Sequence, residues 1–170
     1  MTPADIRFAA DGMLQSLATW LRALGYDCAA GRGLFGRRLL ERAVEEGRVF
    51  LTRNTHLAND WPRALVGRAV VFQVAGEAIP EQLREVVEKF SLDAERFLFT
   101  RCLLCNELLR AAAKAEALPA LPPRVAGCEE QFWRCERCGR FYWRGSHVRN
   151  SAARLRQWLG NARTDGRMSS

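Results

Sequence analysis

The sequence predicts an α/β domain with a mainly parallel sheet, followed by a small C-terminal module held together by cysteines. Three observations carry this reading. Short, near-continuously apolar runs alternate with helical periodicity over the first hundred residues, as in parallel strands covered on both faces. Two C-x-x-C pairs, Cys102/Cys105 and Cys135/Cys138, follow that stretch with 29 residues between them. The chain carries a formal net charge of +7, and the whole excess lies beyond residue 99.

The elements follow in order. Residues 6–10 form a strand that ends at Asp11. Residues 13–24 form a helix, because Leu14, Leu17, Leu21 and Leu24 recur at spacings of three and four. Gly25 is a helix-stop signal. Residues 26–30 are a second strand, 31–36 a Gly/Arg loop, and 37–46 a second helix with Leu39, Leu40, Ala43 and Val44 inward. Residues 48–52 and 69–74 are further strands, and Pro80 opens the last helix of this part. With right-handed crossovers the strands stack into a three-layer domain spanning 1–99. Functional groups in such sheets gather beyond the C-terminal strand ends. Asp11 follows the first strand there, and Thr52, Arg53 and Asn54 follow the third.

The second part spans 100–160, and the polar tail 161–170 reads as disordered. No secretory signal and no apolar run of membrane-spanning length are present, so a cytoplasmic protein without a membrane segment is expected. In a reducing compartment, paired thiols favour metal binding over cross-linking. Thiolates at i and i+3 can point at one ion, and two such knuckles complete a tetrahedral zinc site. Gly139, directly after Cys138, suits the tight turn a knuckle requires. Four protein ligands leave no open position, so Cys102, Cys105, Cys135 and Cys138 form a structural centre rather than a catalytic one. An iron–sulfur centre or a redox dithiol is the competing reading. Cys28 and Cys128 stand apart and read as buried small hydrophobes.

Residues 1–99 carry 13 basic and 13 acidic side chains, whereas 100–170 carry 13 and six. A one-sided basic segment suggests a polyanionic partner, nucleic acid first. Nine arginines lie between Trp133 and Arg167 against two acids, interleaved with Trp133, Tyr142, Trp143 and Trp158. Guanidinium groups engage phosphate in bidentate fashion, and aromatic rings stack on unpaired bases. The contact candidates are Arg53, Arg101, Arg134, Arg140, Trp143, Arg144, His147 and Arg149, with Trp133 and Tyr142 assigned to the module's core. Residues 151–159 form an amphipathic helix with Leu155, Trp158 and Leu159 inward and Arg154 and Arg156 outward.

Phosphodiester hydrolysis with Mg²⁺ or Mn²⁺ needs several carboxylates converging at the strand ends. Asp11 is placed for this and can equally cap the following helix. Asn54 stands where a second carboxylate is wanted, and Asp27 and Asp60 are the substitute donors.

The segments 8–14, 17–27 and 50–54, together with Arg101-Cys102-Leu-Leu-Cys105-Asn106 and the stretch from Phe132 to His147, resemble the Mut7-C RNase domain family. The resemblance covers roughly 6–158, in the family's order. It implies a PIN-like nuclease domain followed by a zinc ribbon, with RNA as substrate class. Members that look active carry acids after strand one, at the start of the second helix, and in a Thr-Arg-Asp after strand three. Here Asp11 is retained, Gly36, Arg37 and Arg38 occupy the helix start, and the third motif reads Thr52-Arg53-Asn54. The reading is an RNA- or ribonucleoprotein-binding protein of ribonuclease ancestry. Its alternatives are an active metal-dependent ribonuclease with Mg²⁺ or Mn²⁺ at Asp11, and a zinc-stapled adaptor for protein interactions.

Overall fold

A computed structural model describes residues 5–31, 33 and 36–160. The chain divides into two compact units, Met1–Asn106 and Glu107–Ser170. The first carries four strands, β1 (Arg7–Ala10), β2 (Asp27–Ala29), β3 (Val49–Thr52) and β4 (Val70–Gln73). They form one sheet in the order β2-β1-β3-β4, with every neighbouring pair parallel. Its helices are α1 (Gln15–Ala23), α2 (Gly36–Glu45), α3 (Leu57–Asp60), α4 (Arg63–Val66) and α5 (Ile79–Lys89).

Side chains alternate across the sheet. Ala9 of β1 lies beside Phe50 of β3. Both join a core cluster with Ala29, with Leu39, Leu40 and Ala43 of α2, and with Leu57 of α3. Trp61 packs on the same cluster, edge-on to Phe50 at 5.8 Å between ring centroids. On the opposite face Phe8 meets Phe90, just past α5, edge-on at 5.3 Å, and Phe90 meets Phe72 of β4 at 5.4 Å. Both faces are thus covered over the centre of the sheet, where β3 is buried at all four positions, whereas the edge strand β4 is largely exposed, with Val70 at 63%. The double burial of β3 is why it reads as an unbroken apolar run. Each fully buried Leu or Phe contributes about 1.5–3 kcal/mol, so such pairs hold the layers together.

The first predicted helix enters through a 3-10 turn, Gly12–Leu14, before α1 begins. It stops at Gly25, which takes φ +92° and leaves no room for a side chain: a Cβ there would sit 2.2 Å from the Phe97 carbonyl oxygen. The short α3 and α4 fill 57–66, where the sequence shows no long periodic run.

The second unit holds β5 (Arg110–Ala112), β6 (Phe132–Arg134) and β7 (Phe141–Trp143) in an antiparallel sheet of that order. Helices α6 (Lys114–Ala117) and α7 (Pro123–Cys128) separate the first two strands, and α8 (Ser146–Leu159) closes the unit. Helix α8 begins five residues before the amphipathic stretch 151–159, because its first turn is mostly exposed and gives no apolar signal. Cys128 is exposed at the end of α7, contrary to the buried position expected of it; Cys28 is buried as expected. The tail 161–170, read as disordered from its composition, lies outside the described residues.

Candidate functional site

Cys102, Cys105, Cys135 and Cys138 bring their Sγ atoms within 4.8 Å of one another. Four sulfurs around an ion at a Zn–S distance of about 2.3 Å stand about 3.8 Å apart, so a cluster of this size is compatible with one shared metal ion. Cys102, Cys105 and Cys135 are buried and Cys138 is exposed. Each pair is closed by a tight turn. In the first, the Cys105 N–H donates to Cys102 Sγ at 3.3 Å and the Asn106 N–H to the Cys102 carbonyl at 2.9 Å. In the second, the Gly139 N–H donates to the Cys135 carbonyl at 2.8 Å. Asn106 and Gly139 hold the same place after their pairs, and both have left-handed backbones, φ +68° and +69°. Asn tolerates that region better than other residues with a side chain.

The first pair is anchored by side chains of its own unit. Arg22, buried at the end of α1, donates to the Leu103 carbonyl at 2.9 Å, the Leu104 carbonyl at 3.3 Å and the Cys28 carbonyl at 2.9 Å. Arg101 donates to the carbonyls of Gly25 at 3.0 Å and Asn106 at 2.8 Å. The Asn106 side chain accepts from the Cys28 N–H at 3.0 Å and donates to Asp27 Oδ1 at 2.7 Å. Asp27 also receives the buried Arg48 guanidinium, which bonds Glu46 and the Phe8 carbonyl as well. Burial raises the Asp27 carboxyl, but the Arg48 and Asn106 hydrogen bonds and nearby guanidinium charges outweigh it, holding the group below its ordinary value. Arg22, Arg48 and Asn106 were not candidates from sequence. The one available signal was Asn106 standing where Gly139 stands after the second pair.

Asp11 lies just past β1, and its N–H donates to the Leu51 carbonyl of β3 at 2.9 Å. Its Oδ1 accepts from the Gly12 N–H at 2.6 Å and its Oδ2 from the Thr52 hydroxyl at 3.1 Å. The same Thr52 oxygen accepts from the Asn54 N–H at 3.0 Å, and Asn54 Nδ2 donates to Asp60 at 2.8 Å. A hydrogen-bonded chain therefore runs Asp11–Thr52–Asn54–Asp60 at the C-terminal strand ends. Asp27 is not part of it. It opens β2, and in a parallel sheet that is the end opposite Asp11. Among the described residues, the four cysteines are the only group of three or more metal-ligating side chains close enough to share an ion.

The basic candidates divide by what their guanidinium groups already hold. Arg101 is committed to the two carbonyls above. Arg134 binds Glu116 at 2.6 Å and lies over the Phe141 ring. Arg144 is exposed, with its Cζ 5.5 Å from the Trp133 ring centre, and Arg149 donates to the Arg144 carbonyl. Arg140 and His147 are exposed, Arg53 is half-buried, and Trp133, Tyr142 and Trp143 are all half-buried. The register pairs Trp133 with Tyr142 on one face of the small sheet, and Trp143 with the buried Phe132 on the other.

The family model for the Mut7-C RNAse domain matches residues 6–155. The chain belongs to the Mut7-C RNAse domain family. The "Exonuclease mut-7 homolog" of Homo sapiens is 33% identical over 102 residues, 59% of this Mut7-C chain and 12% of the human protein. The chain thus aligns with about an eighth of that relative's length. No solved structure matches significantly. Membership supports a ribonuclease-related function. No described helix of the Mut7-C chain is long and apolar enough to cross a membrane.

The Mg²⁺ or Mn²⁺ implied for active relatives can be tested against these residues. Gly36, Arg37 and Arg38 open α2, with Arg37 bound to Glu41 at 2.8 Å. Asn54 spends its amide on Asp60. A hard dication needs several anionic oxygens to offset its dehydration, and among the described residues no group of three or more carboxylates converges at Asp11. The residues present do not fit such an ion.

Proposed function

We propose that this chain is an RNA-binding protein with a PIN-like ribonuclease architecture and a C-terminal zinc ribbon, and that it binds RNA without hydrolysing it. The observation that carries the binding is the set of exposed arginines 137, 140, 144, 149, 154 and 156, none with an acidic partner among the described residues. Arg53, Arg140, Arg144, His147 and Arg149, with Trp143, are the proposed contacts; Arg101 and Arg134 act by shaping the fold. Zinc is the ion proposed for the four thiolates, which suit a reducing, cytoplasmic setting. It orders the ribbon and takes no part in chemistry.

The loss of hydrolysis rests on the chain Asp11–Thr52–Asn54–Asp60. An Asp at position 54 would face Asp60 across a distance that the Asn54 amide now spans as a donor, 2.8 Å. Two carboxylates that close need a cation or a proton between them. The neutral amide replaces the cation. The second reading, an active nuclease, is favoured by the retained Asp11 and by Asp60 at the same strand ends.

The test pairs two assays on zinc-loaded protein. RNA binding should weaken steeply with salt and persist unchanged in Asp11→Asn. With Mg²⁺ or Mn²⁺, the natural chain should leave RNA intact, while Asn54→Asp combined with Arg37→Glu gains cleavage. Cleavage by the natural chain that is abolished by Asp11→Asn would establish the second reading. Absence of RNA affinity at moderate salt would favour the adaptor.

A further inference from the structure

Helix α8 contains 14 residues, and none is acidic. Leu155 and Leu159 are buried, and Val148, Ser151, Ala152 and Trp158 are half-buried on the same side. Ser146, His147, Arg149, Asn150, Ala153, Arg154, Arg156 and Gln157 are exposed. At 100° per residue the exposed residues resolve into three lines. Arg149 and Arg156 form one edge, and His147 and Arg154 form the other, about 160° around the axis from the first. Between them runs a neutral strip of Ser146, Asn150, Ala153 and Gln157.

Two features set this face apart from an ordinary solvated helix. Solvated faces mix signs, whereas no anion interrupts the two edges. The first turn carries no acid to complement the helix dipole and holds Arg149 instead, a cation that is unfavourable there unless an anion is present. Positive edges flanking a neutral strip are complementary to two phosphate backbones flanking a groove. In A-form RNA the accessible groove is the wide, shallow minor groove, which displays 2′-hydroxyls and base edges. Asn150, Gln157 and Ser146 can donate to and accept from those groups, and Ala153 lets the helix sit low.

We propose that α8 lies along the minor groove of double-stranded RNA, with Arg149 and Arg156 on one strand's phosphates and Arg154 on the other's. This rests on the RNA-binding reading above and adds the class of RNA. The helix spans roughly 21 Å, and Arg149 and Arg156 are separated along the axis by about 10.5 Å, so both can engage one strand.

The test measures the full zinc-loaded chain against a 20-base-pair RNA duplex, a single strand of equal length, and the matching DNA duplex, over a salt series. Duplex RNA should bind at least tenfold tighter than either competitor. The triple variant Arg149→Gln/Arg154→Gln/Arg156→Gln should lose that preference and flatten the log affinity–log salt slope by about three, one per phosphate contact. A control of equal charge loss at the exposed Arg63, Arg68 and Arg124 should keep the preference. Circular dichroism verifies that each variant retains its helix. Single-stranded RNA bound as tightly as duplex, with the triple variant unchanged, would overturn the groove assignment and leave RNA binding standing. DNA duplex bound as tightly as RNA duplex would overturn the A-form assignment. Failure to bind any RNA would overturn the underlying reading.

Discussion

Replacing Asn106 by alanine tests whether hydrogen bonds within the first unit hold the Cys102/Cys105 pair. Three losses follow from the geometry. The Cys28 N–H, bonded to Asn106 Oδ1 at 3.0 Å, loses its acceptor beside a fully buried residue, which costs about 1–3 kcal/mol. Asp27 loses the amide donor at 2.7 Å but keeps Arg48; its carboxylate is partly exposed, so about 1 kcal/mol is the appropriate end of the range. Alanine must also adopt φ +68°, a further cost of about 1 kcal/mol relative to asparagine. Together these predict destabilisation of about 3–5 kcal/mol. Asn106→Gly shares the first two losses and escapes the third, so it should fall between alanine and the natural residue. Urea midpoints of the metal-loaded protein, followed by circular dichroism, give the order. The rate of metal transfer to a competing chelator should rise in the same order. An alanine variant within about 1 kcal/mol of the natural protein would refute the reasoning, as would a glycine variant less stable than the alanine one.

Gly25→Ala should be the most damaging conservative change in the first unit, because the added methyl carbon meets the Phe97 carbonyl at 2.2 Å; we expect a loss of about 4 kcal/mol or more, read as a fall in Tm or as insoluble expression. Asp27 is held below its ordinary value, so its contribution is complete above the unfolded value of about 3.9 and is lost as pH falls through the folded value; urea midpoints should drop below about pH 4, and Asp27→Asn should shrink that drop. Native-state alkylation with mass-spectrometric mapping should modify exposed Cys128 and spare Cys28, whose thiol burial pushes up to about 12, until denaturant is added. Metal removal by a chelator, or Cys135→Ser, should cost the helical signal of α8 while leaving much of the α/β unit's spectrum, measured by circular dichroism.

The central strands β1 and β3 were legible because burial on two faces forces unbroken apolar runs, whereas β4 reads as apolar although its edge position leaves Val70 and Val71 exposed. Val49 to Thr52 could hardly be read otherwise, and the alternation with helices then implied parallel pairing. The cysteine cluster was legible from spacing alone, since i and i+3 thiols in two copies have few other uses. What escaped reading is polar and local. Strand β5, Arg-Ala-Ala, has neither β-branched nor aromatic residues, so only its pairing with β6 defines it. Helices α3 and α4 are four residues each, too short to show a period. The contacts of Asn54 with Asp60, and of Asn106 with Asp27, join residues whose types permit many partners; only the backbone path selects among them. Arg101 read as a nucleic-acid contact from charge; the fold adds a role that charge did not show, since its Nε and Nη1 donate to the carbonyls of Gly25, just past α1, and Asn106.

The anchoring of Leu103, Leu104 and Asn106 also shapes the Cys102/Cys105 pair. Two of the centre's four sulfurs are positioned by bonds that involve no ion. An arriving cation therefore meets a bidentate claw that is already shaped, and the entropy of arranging those ligands has been spent during folding of the sheet. The Cys102/Cys105 half of the centre is thus preformed wherever the sheet and α1 are folded.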